Sequence, residues 1–186
     1  IEYSNCLPVH AQLLETASAE LNVVRGTPTE LNQALADGLI DVAPCSSIEY
    51  AHHAEQYRVL PGLVIGSRGR VQSIRFESTR PLSELNGQPV ALPTASATSV
   101  VLLRILLELR YGSKARLTWY DQRSDDDPLE RGATGALWIG DQALQRPVHH
   151  DRLVYDLGEL WFEWTGLPFA FAIWQTRLGS ECDHEL

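Results

Sequence analysis

Short apolar runs, each followed closely by a Ser-, Thr- or Gly-led helix start, constrain this chain more than any other feature. The run at 39–43 leads into Ser46-Ser47-Ile48-Glu49, the run at 89–92 into Ser96-Ala97-Thr98-Ser99, and the run at 134–139 into Gly140-Asp141. Runs this short suit strands, and the segments after them have helical spacing. Thr27-Pro28-Thr29-Glu30 is a further helix start: Thr caps, Pro takes the first helical position, and Glu closes a capping box. Leu31, Ala34 and Leu35 form that helix's buried stripe, and Gly38 stops it. Strands alternating with helices place the chain in the α/β class.

Further strands are expected at the start of the chain up to Tyr3, and over 21–25, 57–65, 115–120 and 153–157. Helices are expected from Asn5-Cys6-Leu7-Pro8 to Leu14, and over 81–85, 100–109, 125–131 and 160–164. The segment 71–78, with Ile74 and Phe76 on one face, and the segment 167–174 read as strands crossing between two lobes. Lobe 1 is then 1–74 with 167–186, and lobe 2 is 75–166. Ligands of such open sheets lie beyond the carboxyl ends of the strands, here in the cleft between lobes.

Composition narrows the function. The chain has 186 residues, 44% of them hydrophobic, which suffices for one good core or two small ones. Its formal net charge is −9, with Lys114 as the one lysine, so non-specific nucleic-acid binding is not expected. The three cysteines, Cys6, Cys45 and Cys182, are widely spaced and form no metal-binding pattern; reduced thiols in a cytoplasmic protein are the simplest reading. No apolar run is long enough to span a bilayer as a helix. The complete absence of Met suggests that the printed sequence is incomplete.

Helix starts offer unpaired N–H donors and a partial positive charge, and hydroxyls beside them suit a carboxylate. Ordinary capping is the competing explanation for any one of them. Ser96, Thr98 and Ser99 supply more hydroxyls than one cap needs. Asn5, just after the expected first strand, can orient a ligand through its amide or simply form an Asx-turn. The histidines make no metal site: His52-His53 lie within a helix, His149-His150 in a polar loop, His184 in the tail, and His10 reads as a surface residue. Asp125-Asp126-Asp127 reads as a solvated run. Trp161, Trp164 and Trp174 read as core, and Cys6 and Cys45 as small packing residues.

Six segments, taken in order, resemble the chorismate dehydratase family of futalosine-type menaquinone biosynthesis. They are Tyr3-Ser4-Asn5-Cys6-Leu7-Pro8, 28–38, 41–50, 96–99, Trp138-Ile139-Gly140-Asp141, and Trp164-Thr165-Gly166-Leu167-Pro168-Phe169. The resemblance implies a two-lobed type 2 periplasmic-binding-protein fold, no cofactor, and further C-terminal helices beyond the returning strand. It implies loss of water from chorismate, a small dicarboxylate, giving 3-(1-carboxyvinyloxy)benzoate. Asn5 is the catalytic candidate; a substrate carboxylate or a water would take the proton. The expected substrate-binding residues are Ser46, Ser47, Ser73, Ser96, Ala97, Thr98, Ser99, Gly140 and Asp141. Cys6 departs from the Thr or Ser common at its position and loses a hydroxyl donor. Three other readings share the fold: the sister 1,4-dihydroxy-6-naphthoate synthase, a solute-binding protein for a small carboxylate, and the sensing domain of a transcription regulator.

Overall fold

The computed structural model describes residues 3–8, 11, 22–124 and 126–180, with Asn5 by its backbone alone. Eight strands are present among them: Val42–Ser46 (β1), Tyr57–Ser67 (β2), Ile74–Ser78 (β3), Pro89–Pro93 (β4), Arg116–Tyr120 (β5), Gly135–Ile139 (β6), Leu153–Asp156 (β7) and Phe169–Arg177 (β8). They form two sheets, ordered β1-β8-β2 and β5-β4-β6-β3-β7. In the first, β8 runs antiparallel to both neighbours. In the second, β4 is parallel to β5 and β6, while β3 is antiparallel to β6 and β7. The second sheet thus reads second, first, third, crossing strand, fourth, and only the crossing strand is reversed. This is the strand order of type 2 periplasmic-binding proteins, and β8 lies wholly in the first sheet.

Five helices lie wholly within the described residues: Pro28–Ala36 (α1), Ser47–His52 (α2), Thr98–Ile105 (α3), Gly140–Gln145 (α4) and Leu157–Thr165 (α5). The α1 helix starts as its sequence dictates: Thr27 Oγ1 accepts the Glu30 N–H at 3.3 Å, and Glu30 Oε2 accepts the Thr27 N–H at 2.8 Å. The α3 helix runs on into a wider π turn, Leu106–Arg110. Its Leu102, Leu103, Leu106 and Leu107 pack with Phe76, Leu92, Leu137 and Leu157 in the larger core. A fully buried aliphatic or aromatic side chain contributes roughly 1.5–3 kcal/mol, so this face anchors the second sheet.

Several expectations need correction. The strand at 39–43 begins at Val42, because the chain is still closing α1. Gly38 has φ +70, the Leu39 N–H donates to the Ala34 carbonyl at 2.8 Å, and Leu39 is 75% exposed. Residues 22–27 carry no strand, and Leu21 lies outside the described residues. Tyr3 is not in a strand, and Asn5 lies in a 3-10 turn, Ser4–Cys6. Leu7, Pro8 and Ala11 are helical, as expected, while the rest of that expected helix, with His10 and Leu14, lies outside the described residues, as do Ile1, Asp125, Cys182 and His184.

No helix forms over the described part of 125–131. The Asp127 carboxylate is drawn instead to Arg146 (2.7 Å) and Arg152 (2.6 Å), so it is no solvated residue. In the crossing segment only Ile74–Ser78 is strand. The last helix begins at Leu157, because Asp156 caps it through the Glu159 N–H. Trp164 lies 40% exposed, outside the core.

Candidate functional site

The site is assembled at the ends of β1, β6 and β8, at the crossing into β3, and at the start of α3. Ser46 closes β1, and its N–H donates to Oδ1 of the buried Asn32 at 3.0 Å. Ser46-Ser47-Ile48-Glu49 has the local pattern of a capping box, but no side-chain cap forms at Ser46. Glu49, which would close it, instead accepts the Tyr57 hydroxyl at 3.1 Å. Ser47 turns away, its hydroxyl donating to the Ala170 carbonyl at 2.7 Å. The Ile48 N–H is met by Thr98 Oγ1 at 3.2 Å. Thr98 thereby caps a neighbouring helix rather than its own.

No side chain caps α3, whose N-cap position is Ala97. Its first-turn N–H groups therefore lack the partner that a capping residue gives. Ser46, Ser73, Ser96 and Ser99 are all buried, between 4% and 7% exposed. None of their hydroxyls makes a hydrogen bond among the described residues. These hydroxyls are not among the buried side-chain atoms left without a partner, so they are open to the cleft that their residues line, where a polar ligand can bond to them.

At the β6–α4 junction, Gln122 acts as a surrogate neighbouring strand. Its amide accepts the Ile139 N–H and donates to the Ile139 carbonyl, both at 3.2 Å. Gly140 follows with φ +62, and its N–H donates to the Ser73 carbonyl at 2.8 Å. A Cβ at Gly140 would lie 2.6 Å from the Tyr3 ring, so glycine alone permits that packing. Asp141 does not cap its helix. Its Oδ1 accepts both the Ser4 N–H, at 2.9 Å, and the Ser4 hydroxyl. Asp141 therefore fastens the turn that carries Asn5.

Ser46, Ser73, Ser96, Thr98, Ser99 and Gly140 line one cleft together. Ser47, Ala97 and Asp141 are not part of its lining. The Asn5 side chain lies outside the described residues, but Tyr3 and Cys6 on either side of it line the cleft. The remaining lining comprises Pro28 and the apolar Ile65, Ile74, Ile139, Phe171 and Ala172. Ile74 opposes Ile139 across β3 and β6, while Ala172 opposes Ser46 and Ile65 across the first sheet. Such register pairs are not readable from single strands.

Among the described residues, no Asp, Glu, His, Lys or Arg lines the cleft. The titratable groups of this described lining are Tyr3 and Cys6. Burial, helped by the Asp141 charge, pushes Tyr3 up to about 12. Burial also pushes the Cys6 thiol up. Both stay neutral near pH 7, so the cleft offers neutral donors above an apolar bed. Among the described residues, no group of three or more His, Cys, Asp or Glu could hold a metal, and no helix is long and apolar enough to cross a membrane. A larger hollow of about 570 Å3 opens to solvent beside β5. Its Arg131 and Asp126 pair with each other, and none of the expected site residues reaches it.

A chorismate dehydratase of Thermus thermophilus is 33% identical, over 94% of this chain and 67% of its own length. One from Campylobacter jejuni is 31% identical, over 92% of this chain and 63% of its own. The chain thus spans about two thirds of these relatives. Among solved structures, a structural-genomics protein of Archaeoglobus fulgidus matches with TM-score 0.64 at 19% identity, over 88% of this chain and 59% of that one. A variant of Corynebacterium glutamicum OxyR matches with TM-score 0.55 at 13% identity, over 97% and 56%. At such identities the solved structures speak for the fold alone. The sequence profile of a family described as menaquinone biosynthesis matches residues 1–182. With this match, the topology and the two relatives in agreement, the chain belongs to the menaquinone biosynthesis family.

Proposed function

We propose that this protein is a chorismate dehydratase, a hydro-lyase that converts chorismate to 3-(1-carboxyvinyloxy)benzoate and water. The observation that carries this reading is the cleft's chemistry: hydroxyls open to the cleft and an uncapped helix start beside an apolar bed, with no Asp, Glu, His, Lys or Arg among its described lining residues. Two relatives with that name match nearly the whole chain. Chorismate has two carboxylates for the donors and a six-membered ring for Ile65, Ile74, Ile139 and Phe171.

Loss of a ring proton and the neighbouring hydroxyl makes the ring aromatic, so the reaction is downhill once the groups are aligned. The protein's task is then chiefly positioning. Ser96, Thr98, Ser99 and the α3 start take one carboxylate, with Ser46 and Ser73 as further donors. Asn5 orients the reacting edge, and Asp141 holds its turn through Ser4. A substrate carboxylate, or a bound water, takes the ring proton and passes it to the departing hydroxyl, which leaves as water. The lobes 1–74 with 167–186, and 75–166, close around the substrate. Incubation with chorismate tests the reading: one aromatic product should form per chorismate lost. Tight binding without conversion would instead make the protein a carboxylate-binding protein.

A further inference from the structure

The cleft serine Ser73 sits one residue past the only non-glycine residue with positive φ among the described residues, Gln72 at +63. A left-handed backbone is uncommon for a side-chain-bearing residue and persists where surrounding structure enforces it. Here the enforcing group is the carboxylate of Asp156, 9% exposed, at the junction of β7 and α5. It accepts the Gln72 N–H at 2.6 Å and the Val71 N–H on both oxygens, at 3.0 and 3.1 Å. One oxygen also accepts the Glu159 N–H at 3.0 Å. Three amides from two segments therefore converge on one carboxylate.

Beyond Gln72, the Ser73 N–H donates to the Val71 carbonyl and the Ser73 carbonyl accepts the Gly140 N–H, both at 2.8 Å. Gly158 holds the same crossing close, since a Cβ there would lie 2.5 Å from the Gly69 carbonyl oxygen. Helix capping alone needs only the Glu159 bond, so the other contacts have no role in α5.

We propose that Asp156 is a positioning residue of the cleft: it clamps the first crossing at Gln72 in the left-handed form, and so sets the Ser73 hydroxyl and the Ser73–Gly140 contact. This rests on the site proposed above. It requires no contact between Asp156 and substrate.

The Gln72 side chain is exposed, so substitution there changes backbone preference and little packing. Chorismate turnover and binding, measured on the full chain, should give a Gln72→Val protein about tenfold below Gln72→Gly in kcat/KM, because valine disfavours positive φ and glycine accepts it. Asp156→Ser keeps a short acceptor for the Glu159 N–H but cannot reach both Val71 and Gln72. Its kcat should fall by about 100-fold, the scale of an ångström-sized misplacement, with little change in melting temperature. Adding Gln72→Gly to Asp156→Ser should recover about tenfold; loss of a helix cap would not be rescued in this way. Equal activity of the Gln72→Val and Gln72→Gly proteins, full activity of Asp156→Ser, or failure of the double variant to recover overturns the clamp. If Asp156→Ser does not fold, the two Gln72 variants decide. If the unaltered chain turns over no chorismate, the functional reading fails, and amide exchange decides the clamp separately: faster exchange at residues 72 and 73 in Gln72→Val than in Gln72→Gly supports it, and equal exchange overturns it.

Discussion

Single hydroxyls and single backbone angles carry the chemistry of this cleft. Ser96 and Ser99 are buried without a protein partner among the described residues, beside a helix start without a cap. Replacing Ser99 with Ala should weaken substrate binding by roughly tenfold, the worth of a hydrogen bond to a charged group, read as a change in Kd. Asn5→Ala should abolish turnover and largely keep binding, read by parallel turnover and titration; unchanged turnover would remove Asn5 from the mechanism. Gly140→Ala should cost about 1–3 kcal/mol in denaturant unfolding, because residue 140 has φ +62 and its Cβ would collide with Tyr3. The hydroxyl cluster was legible in the sequence, since three hydroxyls exceed one cap. The roles of Asp141 and Thr98 were not: each binds a segment far away in sequence, and spacing along one helix cannot reveal that.

Elements meet at the site through polar side chains that local sequence does not assign. Gln122 completes the end of β6, Asn32 holds the end of β1, and Asp156 fastens the crossing. The capped start of α1 was readable because all its partners lie within four residues. The capping box at Ser46 has an equally good local pattern, but Tyr57 takes Glu49 across the fold. The acidic run misleads for a similar reason. Glu77 on β3 is fully buried and meets Arg75 and Arg146 at 2.9 Å and Arg152 at 3.2 Å. Arg146 also lies 3.6 Å from the centre of the Trp138 ring. Burial raises the Asp127 carboxyl, but the hydrogen bonds from Arg152 and Arg146 outweigh this and leave it lowered. This network ties the 126–133 and 146–152 loops to the sheet. Glu77→Ala should therefore destabilise the protein by about 3–5 kcal/mol in denaturant unfolding, because it strands buried arginines. A loss below about 1 kcal/mol would mean that the network is slack.

The described residues form two sheets, and the cleft takes lining residues from both. Strand–helix alternation gave the class. The order within each sheet depends on long-range pairing, which no single segment encodes. The molecule's buried thiol and phenols set its alkaline limit. Burial, then the Glu49 charge, pushes Cys45 and Tyr57 up to about 12, as burial does for Tyr3. Their ordinary values are 9.0 and 10.0, so the unfolded chain releases these protons first. The stability they contribute is fully present below about pH 9 and is lost as pH rises toward 12. Melting temperature should accordingly fall across that window, and a level curve would contradict the burial of these groups.

The central proposal is that a cleft with no Asp, Glu, His, Lys or Arg among its described lining residues eliminates water from chorismate by positioning it. Its most direct test is the rate of aromatic product formation from chorismate as pH is varied. Product should form, and kcat/KM should stay level between about pH 6 and 8, because neither Tyr3 nor Cys6 titrates there and a substrate carboxylate is already ionised. No product, or a rate that climbs through this range with the titration of a protein group, would contradict the account.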